Sequence, residues 1–285
     1  MAIELATKFA PYTDEMFSTE SKKSLLTNND FDWVNASTVK IYKISTSEMN
    51  DYGRSGPAEG NWSRYGAVAG LDATTEAMTL TKDRSFTFAI DRLDQDETVN
   101  QLSAATALAR QLREVVIPEI DAWVYGKMCT GAGNKPTAKA LTAENLYSEI
   151  IAGSNALDAA EVPDTGRVLM VTPNTYLLMK QSKDIVMETD IGSDLRIKGV
   201  ISNLDGMAVI RVPAARVPKD FGFMIAHPAA TVAPTKLESY KVHEDPPGIS
   251  GSLVEGRLNY DAFVLDNKKK AIYYQAVTAS AKQGS

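Results

Sequence analysis

The chain has 285 residues, of which 44% are hydrophobic and 23% charged, a balance typical of a globular protein with an ordinary core. The net charge is -6 and no long basic run occurs, which argues against tight electrostatic binding to nucleic acid; Lys268–Lys270 is read as a solvated strand end. The single cysteine, Cys129, excludes an internal disulfide, and neither a signal peptide nor an apolar run long enough to span a membrane is recognisable.

Residues 1–37 are mixed and polar, and they predict an extended arm with few core anchors. A short helix is expected around Leu25 and Leu26. The arm is expected to dock near its end, where large apolar side chains bury much area. The expected docking residues are Phe31, Trp33 and Val34.

A glycine-rich segment follows, between regions that alternate as strands do. Residues 38–44 (TVKIYKI) predict one strand. Alternation returns at Glu76–Leu80 and, after a turn predicted at Lys82–Ser85, at Phe86–Ile90. Between these regions, residues 45–70 contain five glycines and lack the periodicity of a core element. So long a loop is either disordered or ordered by a neighbouring molecule.

This loop supplies the candidate contact residues of the sequence. Trp62 and Tyr65 are predicted interface anchors, because aromatic side chains are enriched at the centres of interfaces. The alternative is an exposed loop with incidental aromatic residues. Arg54 and Arg64 either pair with carboxylates of a neighbour or make surface ion pairs of little value.

The strongest helical signal runs from Asp91 to Thr130. Acidic residues open it, apolar residues recur every three or four positions, and Gly131 and Gly133 end it. If continuous, a helix of roughly 30 residues is a rod about 45 Å long. Pro118 is predicted to kink or split it, because proline lacks an N–H group and clashes with the preceding turn.

After this helix the pattern becomes mixed. A second helix is predicted over Thr142–Ala160, with Thr142 as its N-cap. Next come a buried strand (RVLMV), a helix opened by Pro173 and a polar tip at Lys183–Asp194. Further strands are expected at 199–201, 207–212, 221–226, 237–243, 253–265 and 271–277. Because helices and strands are segregated rather than alternating, the predicted class is α+β.

No catalytic, cofactor-binding or metal-ligating residue is assigned, and an enzyme is not predicted. The phosphate-binding glycine motifs and the nucleophile elbow are absent. His227 and His243 are each next to residues that favour a structural or surface role, and Cys129 is read as a packed thiol. Carboxylates that meet only in space leave no sequence signature, so an acid–base pair stays open at this point.

Four passages, in order, carry a family resemblance. FTFAIDRLDQDET leads into the helix with VIPEIDAW, and ALDAAEVPDTGRVLMVTPNTYLLMKQS follows. GVISNLDGMAVIRVP with FGFMIAHPAATVAP, and then SLVEGRLNYDAFVLDNKKKAIYY, complete the set. Together they resemble the major capsid proteins of tailed bacteriophages of the Hong Kong 97 type, over nearly the whole chain. No single passage is diagnostic; their order carries the resemblance.

The resemblance implies a division of the chain. Residues 1–37 correspond to the N-terminal arm and 38–91 to an extended hairpin, the E-loop. Residues 92–164 correspond to the P-domain with its long spine helix, 165–235 to the A-domain, and 236–285 to closing P-domain strands.

The implied function is structural. Hexamers and pentamers of the chain would form an icosahedral shell around double-stranded DNA, assembled in the bacterial cytoplasm and found in the virion capsid. The implied partners are other copies, a portal, weakly contacted DNA and, because the arm is short, either a separate scaffolding protein or none. Lys43, Lys82, Asn259 and Asn267 match no cross-linking motif, so no covalent shell is expected. The alternatives are an encapsulin-type compartment and, in another class, a soluble enzyme with a glycine-rich lid.

Overall fold

The computed structural model describes residues 20–28, 38–57, 59–60, 62–68, 70–97, 103–183 and 200–278. The chain divides into two units. The hairpin unit is Trp33–Leu80, and the main unit is Met1–Asp32 together with Thr81–Ser285. The expected docking residues Phe31, Trp33 and Val34 and most of the predicted tip at Lys183–Asp194 lie outside the described residues.

The hairpin unit is built on two antiparallel strands, β1 (Thr38–Ile44) and β2 (Ala73–Thr79). The strand predicted at 38–44 is confirmed. The turn predicted at Lys82–Ser85 is wrong, since these residues begin strand β3 (Lys82–Asp91), which lies in the main unit. The charged side chains of Asp83 and Arg84 that suggested a turn are instead ion-paired along a strand.

The long helical signal is divided in the structure. Helix α1 covers Arg92–Glu97, and a new helix, α2 (Ala104–Gln111), starts at Ser103, whose hydroxyl accepts a hydrogen bond from the Thr106 N–H at 3.3 Å. The condition that the helix is continuous from residue 91 is therefore not met, because Ser103 adopts an extended N-cap conformation.

From residue 104 the backbone stays helical through a π turn, Leu112–Val116, and helix α3 (Ile117–Gly131). The Ile117 N–H bonds to the Leu112 carbonyl, one residue farther back than in an α-helix. The wide turn directly precedes Pro118, which has no N–H to give to a carbonyl four residues earlier. The kink at Pro118 stays a prediction.

A five-stranded sheet lies in the main unit. Its members are β4 (Val168–Val171), β5 (Val200–Leu204), β6 (Met207–Arg211), β7 (Phe221–Ala226) and β12 (Ile272–Ala276), in the order β12-β7-β4-β6-β5. Only β4 and β6 run parallel. The predicted turn between β5 and β6 is confirmed, with Asp205 and Gly206 at positive φ.

Helices cover both faces of this sheet. On one face, Leu169, Val209 and Phe223 pack with α4 (Leu146–Asp158) and α5 (Pro173–Gln181). On the other face, Met170, Ile210 and Met224 share a core with α3. Successive strand residues point to opposite faces, so the continuous apolar strands β4 and β7 fill both cores.

The predicted N-cap at Thr142 is wrong, because α4 begins at Leu146 after Asn145, and Thr142 lies in the turn that precedes the helix. The Thr142 hydroxyl accepts from the Asn145 N–H at 3.3 Å, and the Asn145 side-chain oxygen accepts from the Thr142 N–H at 2.8 Å. This reciprocal pattern is that of a capping box.

A three-stranded antiparallel sheet has the order β3-β10-β9, with β9 at Thr235–Glu244 and β10 at Gly251–Tyr260. Strand β3 therefore belongs here and not to the hairpin, so the boundary predicted at residue 91 moves to residue 80. Two short strands, β8 (Thr231–Val232) and β11 (Phe263–Val264), pair antiparallel with each other. In the sequence, β8 precedes β9 and β11 follows β10.

The predicted grouping of residues 236–285 also changes. Strand β12 pairs with β7 in the five-stranded sheet, whereas β9 and β10 pair with β3. Ile272 and Tyr274 of β12 belong to the core on one face of the five-stranded sheet, and Tyr273 belongs to the core on the other face. Lys268–Lys270 are exposed, as predicted, but on a 3-10 helix (Asp266–Ala271) rather than at a strand end.

Candidate self-association surfaces

Exposed apolar side chains are concentrated in the hairpin unit. Eight of the twelve large apolar side chains that are exposed in the described part of the chain belong to it. They are Tyr42, Ile44, Met49, Tyr52, Trp62, Tyr65, Val68 and Leu71. Contiguous exposed apolar surface on a soluble protein marks a contact with another molecule.

The loop between β1 and β2 carries the predicted contact residues. Trp62 is 84% exposed and Tyr65 is 78% exposed. Tyr65 meets Tyr52 edge to face, with ring centroids 5.0 Å apart. Arg54 and Arg64 are exposed and form no ion pair among the described residues. That these four residues contact another subunit stays a prediction.

The loop has internal order despite its glycines. The Gly53 N–H donates to the Arg64 carbonyl at 2.9 Å, which joins the two arms of the loop. At its base, the Ser45 N–H donates to the Asp72 carbonyl and the Asp72 N–H to the Ser45 hydroxyl, each at 2.9 Å. Gly66 adopts a φ of 93°, which glycine reaches without steric cost.

Sequence reasoning missed Tyr42 and Ile44, which are 73% and 66% exposed on one face of the hairpin. They lie opposite Thr75 and Ala73 of β2. The sequence did contain this information. In TVKIYKI, apolar residues occur at both odd and even positions, so neither face of the strand is wholly polar. The other face carries an ion pair between Lys43 and Glu76 at 3.0 Å.

The hairpin unit has little means of stabilising itself. A two-stranded hairpin is at best marginally stable in water, and this one leaves large aromatic side chains uncovered. Burying such side chains against another surface contributes about 25 cal/mol per Å² of apolar area. The arrangement is therefore suited to lying on a second molecule.

The main unit offers a polar groove of about 510 Å³ on one face of the three-stranded sheet. Its lining includes Ser85, Thr87, Lys241 and Arg257. Arg257 binds Asp83 through two contacts of 3.0 and 2.6 Å, and this hydrogen bonding lowers the pKa of the Asp83 carboxyl. Arg257 is thus already paired with a carboxylate beside the groove.

A smaller pocket of about 130 Å³ lies between the π turn and the other face of this sheet. Phe86, Val116, Ile120 and Leu258 form apolar walls. At its rim Arg84 binds Glu119 at 2.7 Å. The pocket holds one apolar side chain at most, and it has no convergent set of reactive groups.

Two carboxylates are buried in the described part of the main unit, Asp121 and Asp261, and both have hydrogen-bond partners. Asp121 of α3 binds Arg216 at 2.9 Å and accepts from the Ser21 hydroxyl at 2.5 Å. Burial raises the pKa of the Asp121 carboxyl, although Ser21 and Arg216 oppose the rise. Ser21 belongs to the described part of the predicted arm, so this hydrogen bond joins that segment to helix α3.

Asp261 accepts hydrogen bonds from the Thr81 N–H and hydroxyl, from Trp123 Nε1 and from the Ala262 N–H, at 2.7–2.9 Å. Burial alone would raise the pKa of this carboxyl, but the four hydrogen bonds outweigh it and hold the pKa below its usual value. Both buried carboxylates therefore serve packing and positioning.

Two further searches concern sites of other kinds. In the described ranges, no three His, Cys, Asp or Glu side chains group closely enough to hold a metal ion. No helix in the part of the chain that the structure describes is both long and apolar enough to cross a bilayer.

Comparison with known proteins gives its result at the level of structure. No family model matches the sequence, and no curated protein matches it. A structure from Mycobacterium phage Che8 superposes with a TM-score of 0.71 at 17% identity, covering 96% of this chain and 97% of that one.

Two other similar structures are phage capsids. The capsid structure of Cyanophage P-SCSP1u gives a TM-score of 0.71 at 13% identity, covering 96% of this chain and 93% of that one. The mature capsid of bacteriophage PhiM1 gives 0.68 at 11% identity, covering 98% and 93%. The predicted α+β fold of the Hong Kong 97 type is confirmed across nearly the whole chain.

Proposed function

We propose that this chain is the major capsid protein of a tailed bacteriophage. Copies of it assemble into hexamers and pentamers of an icosahedral shell that encloses double-stranded DNA. The protein is structural and not an enzyme. Its location is the virion capsid, after synthesis and assembly in the cytoplasm of the bacterial host.

One observation carries the proposal: a chain with the fold of phage capsids exposes its large apolar side chains on a hairpin too small to be stable alone. Fold by itself does not fix function, so the surface is the stronger support. Enzymes bind substrates in concave sites, whereas here most of the large exposed apolar side chains of the described residues lie on a strand pair and its loop.

The proposal assigns the hairpin unit to a contact between subunits. Trp62 and Tyr65 are the proposed anchors, with Tyr42 and Ile44 extending the surface they form along the hairpin face. Arg54 and Arg64 are proposed to meet carboxylates of the neighbouring subunit, where bidentate guanidinium contacts add orientation.

The other proposed partners rest on the family resemblance. They are a separate scaffolding protein, a portal and the packaged DNA. A net charge of -6 supports only weak and nonspecific proximity to DNA, since strong phosphate binding needs concentrated positive charge.

The direct test is electron microscopy of the purified chain, expressed alone and with its neighbouring genes, combined with analysis of the particle contents. Closed icosahedral shells that hold DNA in the native virus support the proposal. Shells that hold a protein cargo instead support the encapsulin-type compartment. A chain that stays monomeric at high concentration under all these conditions contradicts both.

A further inference from the structure

Strand β9 is an open edge of the three-stranded sheet. In the described part of the chain it hydrogen-bonds only to β10, and residues 241–244 at its end are exposed. An edge strand of ten residues presents a row of N–H and C=O groups that another strand can join.

The phase of the β9–β10 ladder identifies which groups are available. The Asp245 N–H donates to the Gly251 carbonyl at 2.7 Å, so these residues form a hydrogen-bonded pair. Hydrogen-bonded and non-bonded pairs alternate along an antiparallel ladder. The backbone groups that point away from β10 therefore belong to even-numbered residues of β9, namely Glu238, Tyr240, Val242 and Glu244.

We propose that β9 pairs antiparallel with β9 of a second copy of this chain, about a two-fold axis at Tyr240. Outward groups must face outward groups, so even-numbered residues lie opposite even-numbered residues. In this register Tyr240 faces Tyr240 of the second copy, and Lys236 faces Glu244 of the second copy. The symmetry forms that ion pair twice.

Charge distinguishes this register from its neighbours. Moving the axis to residue 241 would place Glu238 opposite Glu244 of the second copy, which sets like charges side by side. Moving it to residue 239 would place Lys236 opposite Val242 of the second copy and form no ion pair. Lys236 and Glu244 are exposed. The alternation along β9 is observed from residue 245 to residue 237, and the proposal extends it to Lys236 at the bulge where the pairing with β10 shifts.

The inference rests on the proposed function, because an icosahedral shell brings copies together about two-fold axes. The pairing would join subunits of different capsomers rather than neighbours within one hexamer. It would add backbone hydrogen bonds to a contact that side chains alone would otherwise make, and it would cover an edge that is otherwise open to aggregation.

The test is a cross-link in assembled particles of the full chain. Tyr240→Cys places two thiols opposite each other, with Cα atoms about 5.5 Å apart, which a disulfide can span. The control Ser239→Cys is adjacent but faces Lys241 of the second copy, so its two thiols lie about 7–8 Å apart on the diagonal. The native Cys129 does not interfere, because burial raises the pKa of its thiol to about 12.

On oxidation we expect Tyr240→Cys shells to yield a disulfide dimer on a non-reducing gel, and Ser239→Cys shells to yield none. In the Tyr240→Cys background, Lys236→Glu or Glu244→Lys alone should suppress the dimer, and the double exchange should restore it. The ring of Tyr240 lies 6.2 Å from the ring of Phe86, centroid to centroid, so Tyr240 also has a structural role. Loss of that packing alone would not let a charge exchange at residues 236 and 244 restore the dimer.

Intact shells without the dimer, or with equal dimer from both cysteine variants, overturn the pairing and leave the proposed function standing. A chain that forms no shells overturns both. If Tyr240→Cys does not fold, Lys236→Glu, Glu244→Lys and the double exchange are made in the native chain instead. Sedimentation then measures whether each variant forms shells. Single reversals that assemble normally then overturn the pairing, and loss that the double exchange repairs supports it.

Discussion

The carboxylate of Asp121 on α3 lies 2.9 Å from the guanidinium of Arg216, and both side chains are almost completely buried. Arg216 ends a 3-10 helix (Ala214–Arg216) that follows β6, so the pair joins the long helix to the segment that leaves the five-stranded sheet after β6. A buried ion pair contributes little net stability, but removing one partner leaves an uncompensated charge.

Replacing Arg216 with Met should therefore lower the free energy of unfolding by roughly 3–5 kcal/mol at pH 7. Adding Asp121→Asn removes the orphaned charge, so the double variant should recover part of the loss. Urea denaturation of Arg216→Met, Asp121→Asn and the double variant measures this. Strictly additive losses would show that the two residues do not act as a pair.

The same pair predicts a pH dependence. Burial raises the folded-state pKa of Asp121 above the unfolded value of 3.8, and loss of Arg216 raises it further. A raised carboxyl pKa means that the folded state binds more protons, so stability falls as pH rises through that window. The deficit of Arg216→Met against the native chain should thus shrink as the pH is lowered toward about 4, where the carboxyl is protonated.

The contribution of Asp261 to stability changes with pH in the opposite direction to that of Asp121. Its folded-state pKa is lowered, so its contribution is complete above the unfolded value of 3.8 and is lost as pH falls through the folded value. Asp261→Asn should cost about 1–3 kcal/mol at neutral pH, because several donors lose a charged acceptor. The difference from the native chain should vanish in acid. The control Asp51→Asn alters an exposed carboxylate and should leave the denaturation midpoint unchanged at both pH values.

Two helical glycines should respond in opposite directions to Ala. At Gly153 of α4 an added Cβ would lie 2.8 Å from Ile225 Cδ1 and 2.9 Å from Tyr273 Cδ1, so Gly153→Ala should destabilise by about 1–3 kcal/mol through overpacking. At Gly126 of α3 nothing lies within 4 Å, so Gly126→Ala should stabilise by about 0.5–1 kcal/mol through helix propensity. Thermal denaturation compares the two. A stabilised Gly153→Ala would mean that α4 does not approach the sheet so closely.

The hairpin loop should control assembly and not folding. The double variant Trp62→Ala/Tyr65→Ala should keep its denaturation midpoint and weaken self-association by roughly 30-fold or more, because truncating an interface anchor costs about 2 kcal/mol or more. Deleting residues 50–70 should leave a folded chain that makes no shells. Sedimentation velocity measures both. The matched control is Leu177→Ala, which removes an apolar side chain, 56% exposed, from α5 of the main unit. Normal shells from the deletion would contradict the assignment.

Much of the fold followed from local signals in the sequence. The Asp205-Gly206 turn and the apolar strand β7 were predicted because each depends on a few adjacent residues. The break at Ser103 was not, since apolar spacing continues across it and only the cap conformation marks it. The strand at the end of the chain was predicted, but its pairing with β7 was not, because that pairing is set by tertiary packing. At the candidate surface, Trp62 and Tyr65 stood out as aromatic residues among glycines, whereas Tyr42 and Ile44 passed as one face of an ordinary strand.

The pairing of β3 with β10 sets a condition on synthesis. The ribosome makes β10 roughly 160 residues after β3, which at about 5–20 residues per second is a delay on the order of 10–30 s. During that interval Phe86 and Phe88 belong to a nascent strand whose pairing partner does not yet exist. A newly made chain therefore carries an apolar strand that stays unpaired until the C-terminal part of the sheet has been synthesised.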